Sequence, residues 1–156
     1  SWGLASTAFT GLDHLSGRTV AIVGDGAVYP SAVVTGTGRI DVVVPIVKAE
    51  IGLPYTSRLI TMKPEIPTAA GTSQGIARHA AKIILSLVET VGVQINGEII
   101  PFRTSADAMD RPPGLYTGDK SIANLGWDTT GRVTVEQTQP LPMTVVFITG
   151  STEVGA

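Results

Sequence analysis

Glycine and proline constrain this chain more than any other feature, because eighteen glycines and ten prolines are spread through 156 residues. Proline fixes φ and removes a backbone donor, and glycine weakens a helix interior, so this spacing breaks long helices and leaves short extended segments. The segments in between are β-branched: residues 19–23, 32–35, 39–44, 132–136 and 144–149. Between them stand turn residues. Asp25-Gly26 follows the first run, Gly36-Thr37-Gly38 joins the next two as a hairpin, and Asn96-Gly97 divides Val93-Gln94-Ile95 from Glu98-Ile99-Ile100. Asn, Asp and Gly tolerate the positive φ that a two-residue type I′ hairpin turn needs.

These signals predict an all-β or mainly β fold of antiparallel strands, in a sandwich or barrel-like arrangement with long loops and at most one helix. That helix would lie at 76–91, where two periods compete. Ile76, Ala80, Ile83, Leu87 and Val91 follow helical spacing, with Arg78, His79, Lys82, Ser86 and Glu89 opposite. As a strand, the same stretch puts Ala81, Ile83, Leu85 and Leu87 on one face, against Lys82, Ser86 and Thr90. Loops are expected at 63–75 and 104–127. Residues 1–10 read as a linker or the start of a fragment, 11–149 as the β-rich domain and 150–156 as a flexible tail. The loop at 63–75 is where two small β subdomains would meet.

Composition narrows the function classes. The chain has no cysteine, which removes disulfides and thiolate metal sites. Eleven basic and thirteen acidic residues give a net charge of −2 with no basic cluster, unlike a dedicated nucleic-acid-binding surface. No stretch approaches the roughly 18 uncharged apolar residues of a membrane span. Hydrophobic residues reach 43% against 15% charged, apolar enough to suggest surface meant for a partner.

Catalytic and metal motifs are weak. Gly71-Thr72-Ser73-Gln74-Gly75 matches a nucleophile elbow, but Pro64 and Pro67 precede it where a central strand is required. No acidic residue lies between Ser73 and His79, the only later histidine. A Gly/Ser loop is the better reading, and no catalytic residue is expected. Gly24-Asp25-Gly26 puts Tyr29 where a dinucleotide fingerprint needs its third glycine, so a hairpin turn is favoured. His14 adjoins Asp13, and adjacent side chains of a strand point to opposite faces, so His14 reads as a polar surface or cap residue rather than a ligand. No metal or cofactor is expected. Trp127, between Gly126 and Asp128, is read as core packing, with anchoring of the long loop as the alternative.

Several phrases in order resemble the C-terminal region of the tail hub or nozzle proteins of short-tailed bacteriophages and prophages. They are Leu12-Asp13-His14-Leu15, then Arg18-Thr19-Val20-Ala21-Ile22-Val23-Gly24-Asp25-Gly26, and Ile51-Gly52-Leu53-Pro54-Tyr55-Thr56. Gly71 to Gly75, Ile100-Pro101-Phe102-Arg103-Thr104 and Pro112-Pro113-Gly114-Leu115-Tyr116-Thr117-Gly118-Asp119 follow. The series closes with Gly126-Trp127-Asp128, Gly131-Arg132-Val133-Thr134-Val135 and Gln139-Pro140-Leu141-Pro142-Met143-Thr144-Val145. One departure is residues 76–87, which are mostly apolar where the family carries more basic residues and alternates as a strand.

The resemblance implies a virion structural protein, assembled in the bacterial host cytoplasm, and not an enzyme. It implies a homo-oligomeric, sixfold ring that meets portal or adaptor and fibre or spike proteins. Such a ring retains packaged DNA and forms an ejection channel through which DNA passes without specific binding. Candidate contacts to neighbours are Arg111, Pro112, Pro113, Leu115, Tyr116, Asp119 and Trp127. Two other classes remain: a β-sandwich adhesion or carbohydrate-binding module, which exposed aromatics on one face would favour, and a serine hydrolase using Ser73.

Overall fold

The computed structural model describes residues 4–65, 76–123 and 126–154. Their strands are antiparallel throughout, and the chain divides into two compact units. The first runs through Thr56 and adds Ala108–Pro113 and Thr138–Leu141; the second holds Ser57–Asp107, Gly114–Gln137 and the chain from Pro142 onward.

Unit 1 contains β1 (Ser6–Phe9), a 3-10 turn (Asp13–Leu15), β2 (Thr19–Gly24), β3 (Ala27–Val33), β4 (Ile40–Ile46) and β5 (Ala49–Gly52). β2 lies between β3 and β5, and β1 pairs with β4. Alternation along β2 buries Val20 and Ile22 completely, and Val34, Ile40 and Ile46 complete the core, with Phe9, Leu12 and Tyr29 packed on it. The β2–β3 turn is Asp25-Gly26, at φ 50° and 84°, so both central residues take the positive φ of a type I′ hairpin. The Asp25 carboxylate also accepts N–H bonds from Val47 (3.0 Å) and Lys48 (2.8 Å), tying the turn to the start of β5.

The Gly36-Thr37-Gly38 expectation needs correcting. The turn closes, with the Thr35 N–H donating to the Arg39 carbonyl at 2.9 Å, but no ladder joins β3 to β4 beyond it. Val34 bonds back to Arg18 and β4 turns to β1, with Phe9 opposite Ile40. Each strand has taken another neighbour, although Val34 and Ile40 are both buried in the same core. β1 thus lies inside the stretch 1–10 that the sequence reads as linker.

Unit 2 contains β6 (Ser57–Ile60), β7 (Arg78–Thr90), β8 (Gln94–Ile95), β9 (Glu98–Ile99), β10 (Tyr116–Ala123), β11 (Trp127–Asp128), β12 (Thr134–Gln137) and β13 (Thr144–Val154). One sheet runs β6-β12-β8-β9. In the other, β7 is central, with β13 on one edge and β10 and β11 following one another along the opposite edge. Ala80, Ile83, Leu85 and Leu87 from β7 share one core with Val93, Ile95, Ile100, Val133 and Val135, a sandwich-like packing of the two sheets. The β8–β9 turn is Asn96-Gly97, at φ 49° and 85°.

β7 settles the ambiguity at 76–91 in favour of strand. Its helical look comes from two irregularities. β13 pairs Ser151 with Lys82 and Thr152 with Ala80, leaving Ala81 as the extra residue. β10 pairs Gly118 with Leu87 and Tyr116 with Thr90, and Glu89 within that gap sits at φ 44°. Each bulge resets the alternation, so Ala80 rather than Ala81 faces the core, and Thr90 is buried, not outward. Thr90 is satisfied there: its hydroxyl donates to the Val88 carbonyl (2.8 Å) and accepts the Thr144 N–H (2.8 Å).

Two further corrections follow. The expected loop 104–127 contains β10, an eight-residue strand. The chain from Gly150, expected to be a flexible tail, continues β13 as far as Val154 against β7. Gly150 fits because a Cβ there would collide with the Lys82 carbonyl.

Candidate functional site

Ser73, with the rest of Gly71 to Gly75, lies outside the described residues. His14 sits on the exposed 3-10 turn. Among the described residues no three His, Asp or Glu side chains gather as a metal site would require, and no helix is long and apolar enough to cross a membrane.

The candidate contact residues are divided between the units. Arg111, Pro112 and Pro113 belong to unit 1, whereas Leu115, Tyr116, Asp119 and Trp127 belong to unit 2. Pro112 lies beside the β2–β3 turn, where a Cβ on Gly26 would be 3.6 Å from it. Leu115 is exposed. Tyr116 turns inward: its ring meets Phe102 edge-on at 6.0 Å, and its hydroxyl donates to the Asp119 carbonyl at 2.9 Å. The Lys120 ammonium rests 4.6 Å from the Tyr116 centroid and donates to the Pro101 carbonyl at 3.1 Å. A cation held over an aromatic face is attracted by the ring's negative surface. This cluster therefore braces the sheet edge, and Tyr116 is a brace before it is a contact.

Trp127 reverses its sequence reading. It is 58% exposed on β11 and takes no part in the core. In register it stands beside His79 of β7, which stands beside Glu153 of β13, so three strands contribute one outward row. The imidazole stacks on the indole at 5.2 Å with 24° between the planes, and the Glu153 carboxylate is 3.7 Å from His79 Nδ1. The neighbouring Asp128 carboxylate accepts from the Thr130 hydroxyl and from the Gly131 N–H at 3.2 Å. The hydroxyl bond is the main reason its pKa lies below the ordinary aspartate value. That turn fixes the chain just after the tryptophan. A Trp flanked by glycine and a polar Asp-Thr-Thr-Gly turn is the signal that could have placed it at the surface.

Beyond this row, unit 2 shows apolar side chains to solvent at Met62, Val146 and Phe147, and unit 1 at Val44 and Val47, with Val43 97% exposed. Val43 crowns an excursion of β4. Between the pairs Ser6–Ile46 and Ala8–Asp41, β1 has only Thr7 while β4 has Val42, Val43, Val44 and Pro45.

No protein-family model matches the chain, and no curated protein matches it.

Proposed function

We propose that this chain is a structural, non-catalytic domain of a short bacteriophage tail, part of a hub or nozzle ring. The observation that carries the reading is the apolar surface of both units: Val43, Val44 and Val47 on one, Met62 and Val146 on the other. A subunit of an assembly can cover such exposed apolar side chains against its neighbours. The ordered phrases resembling hub and nozzle proteins supply the identity of that assembly. In it the domain would meet copies of itself, portal or adaptor proteins, and fibres or spikes. A net charge of −2 suits a channel wall past which DNA slides, since binding depends on Lys and Arg neutralising phosphates.

A cyclic ring uses heterologous contacts, one side of a subunit against the other side of the next. The stretch 111–119, with Leu115 exposed, is expected to lie in such a contact, and the valines of the β4 excursion to be covered. An electron-microscopy map of the assembled parent particle tests this. If both 111–119 and Val43 face open solvent in every subunit, the structural reading fails.

A further inference from the structure

We infer that the outer face of the sheet formed by β10, β7 and β13 binds an extended, neutral polysaccharide, with Trp127 as its stacking platform. The inference stands on this face alone and does not depend on the tail reading.

The face is defined by register. Leu85 and Leu87 point into the core, so Ser86 and Ile84 point out. Cross-strand partners share a face, which puts Asp119 and Phe147 beside Ser86, Ser121 and Thr149 beside Ile84, and Ser151 beside Lys82. At one end stands the row of Trp127, His79 and Glu153. At the other stands Phe147, 48% exposed and outside the core cluster. His79 and Ser86 are separated along β7 by about 20 Å at the usual strand rise. That is the length of a short oligosaccharide, with an aromatic ring at each end and hydroxyl side chains between.

The chemistry selects among occupants. Sugars present C–H groups on one face and hydroxyls around the rim. They therefore stack on an aromatic plane while bonding to carboxylates and hydroxyls, the pairing of apolar body and polar tip that this face offers. The indole is already oriented, since His79 holds one of its faces at 5.2 Å and nearly parallel. Holding the ring before binding removes part of the ordering cost. Glu153, beside His79, and Asp119, beside Ser86, supply acceptors for sugar hydroxyls at the two ends. A protein partner fits less well, because Ser86, Ser121, Thr149 and Ser151 surround the one large aliphatic side chain in the middle, Ile84, where a protein interface places a broad apolar centre. Nucleic acid fits least, because the face carries the carboxylates of Asp119 and Glu153 beside the single lysine Lys82, too little positive charge to track a phosphate backbone.

The test uses the full chain and linear hexasaccharides of glucose, mannose, galactose and rhamnose, with binding followed by isothermal titration and by ligand-observed NMR. At least one hexasaccharide is expected to bind, and Trp127→Ala to weaken it by about tenfold or more. Phe147→Ser should weaken it less. Tyr55→Ala, which removes an exposed aromatic of unit 1, should leave it unchanged. Circular dichroism confirms that each variant keeps its fold; if Phe147→Ser does not, Trp127→Ala alone decides, since its ring is outside the core. Three results overturn the inference: no hexasaccharide bound at millimolar concentration, binding that survives Trp127→Ala, or Tyr55→Ala as harmful as Trp127→Ala. A fourth is an oligomer that Trp127→Ala dissociates while sugar binding is absent, which makes the face an interface between copies of this chain.

Discussion

Unit 1 and unit 2 use the same materials, β-branched runs and two-residue turns, but assemble them over different distances along the chain. In unit 1 the Asp25 carboxylate reaches Val47, 22 positions away, and β2 is followed directly by β3. In unit 2, Thr90 closes on Thr144 across 54 positions, and the Thr61 hydroxyl accepts the Val133 N–H across 72. Local pairings repay the entropy of loop closure early, whereas distant ones must close long loops before any contact forms. The two cores match this contrast. Among the described residues, five buried ones serve unit 1, and nine, gathered around the thirteen-residue β7, serve unit 2. The lesson is that one long central strand replaces local connectivity as the organiser when partners are far apart in sequence.

The strongest way to break this comparison is to cut into β7. Leu85 is fully buried, and Leu85→Ala should cost about 2–5 kcal/mol through lost burial and the cavity left behind. Ile22→Ala, at the centre of β2, should cost a similar amount. Native-state hydrogen exchange shows where each loss falls. If Leu85→Ala lowers protection in β2 as much as in β10 and β13, the two regions are one cooperative body and the contrast dissolves.

The turns give a smaller, sharper test. Gly97→Val should cost about 1–2 kcal/mol, the price of placing an L side chain in the left-handed region. A Cβ at Gly97 meets nothing within 4 Å, so the whole effect is backbone strain. Denaturant titration measures it, and an unchanged midpoint would mean that the Asn96-Gly97 hairpin does not hold the register of β8 and β9. The smallest effect belongs to Asp25. Hydrogen bonds from the Val47 and Lys48 N–H groups lower its pKa below the ordinary 3.8. The stabilisation is therefore complete above that value and is lost as pH falls through the lower folded-state value. Asp25→Asn keeps a residue that tolerates positive φ but removes the charge. Its stability between pH 5 and pH 2, roughly the window in which an aspartate titrates, should fall less steeply than that of the parent chain.

How far the sequence could be read follows the same division. The Asp25-Gly26 and Asn96-Gly97 turns were legible because their chemistry sits in two adjacent residues. β7 was not, because the bulges at Ala81 and Glu89 break the alternation that identifies a strand and leave apolar residues at near-helical spacing. β10 was hidden inside an expected loop, since within Tyr-Thr-Gly-Asp-Lys-Ser-Ile-Ala only Tyr116 and Ile122 pack on the core as hydrophobics. The end of β13 was read as a tail because Gly-Ser-Thr carries no apolar signal. It pairs through its backbone, which composition does not record. Of the surface features, the contact segment 111–119 reads as one stretch but is shared by two units, and Trp127, which residue type alone places in the core and the resemblance places among the contacts, is exposed.

The two bulges in β7 also have a mechanical meaning. A strand paired on both edges can slide along its neighbours only by breaking its hydrogen bonds together. A uniform ladder at least regains them two residues further on, with the same faces in and out. β7 has no such second position, because its irregularities lie against different partners, Ala81 against β13 and Glu89 against β10. Any displacement along its axis sets a bulge against straight backbone on one side or the other. Tension applied to the chain beyond Val154 would pull β13 lengthwise against β7, loading the ladder in shear rather than opening it one bond at a time. The strand is keyed at both ends, like a shaft that can carry load but cannot turn to a new setting.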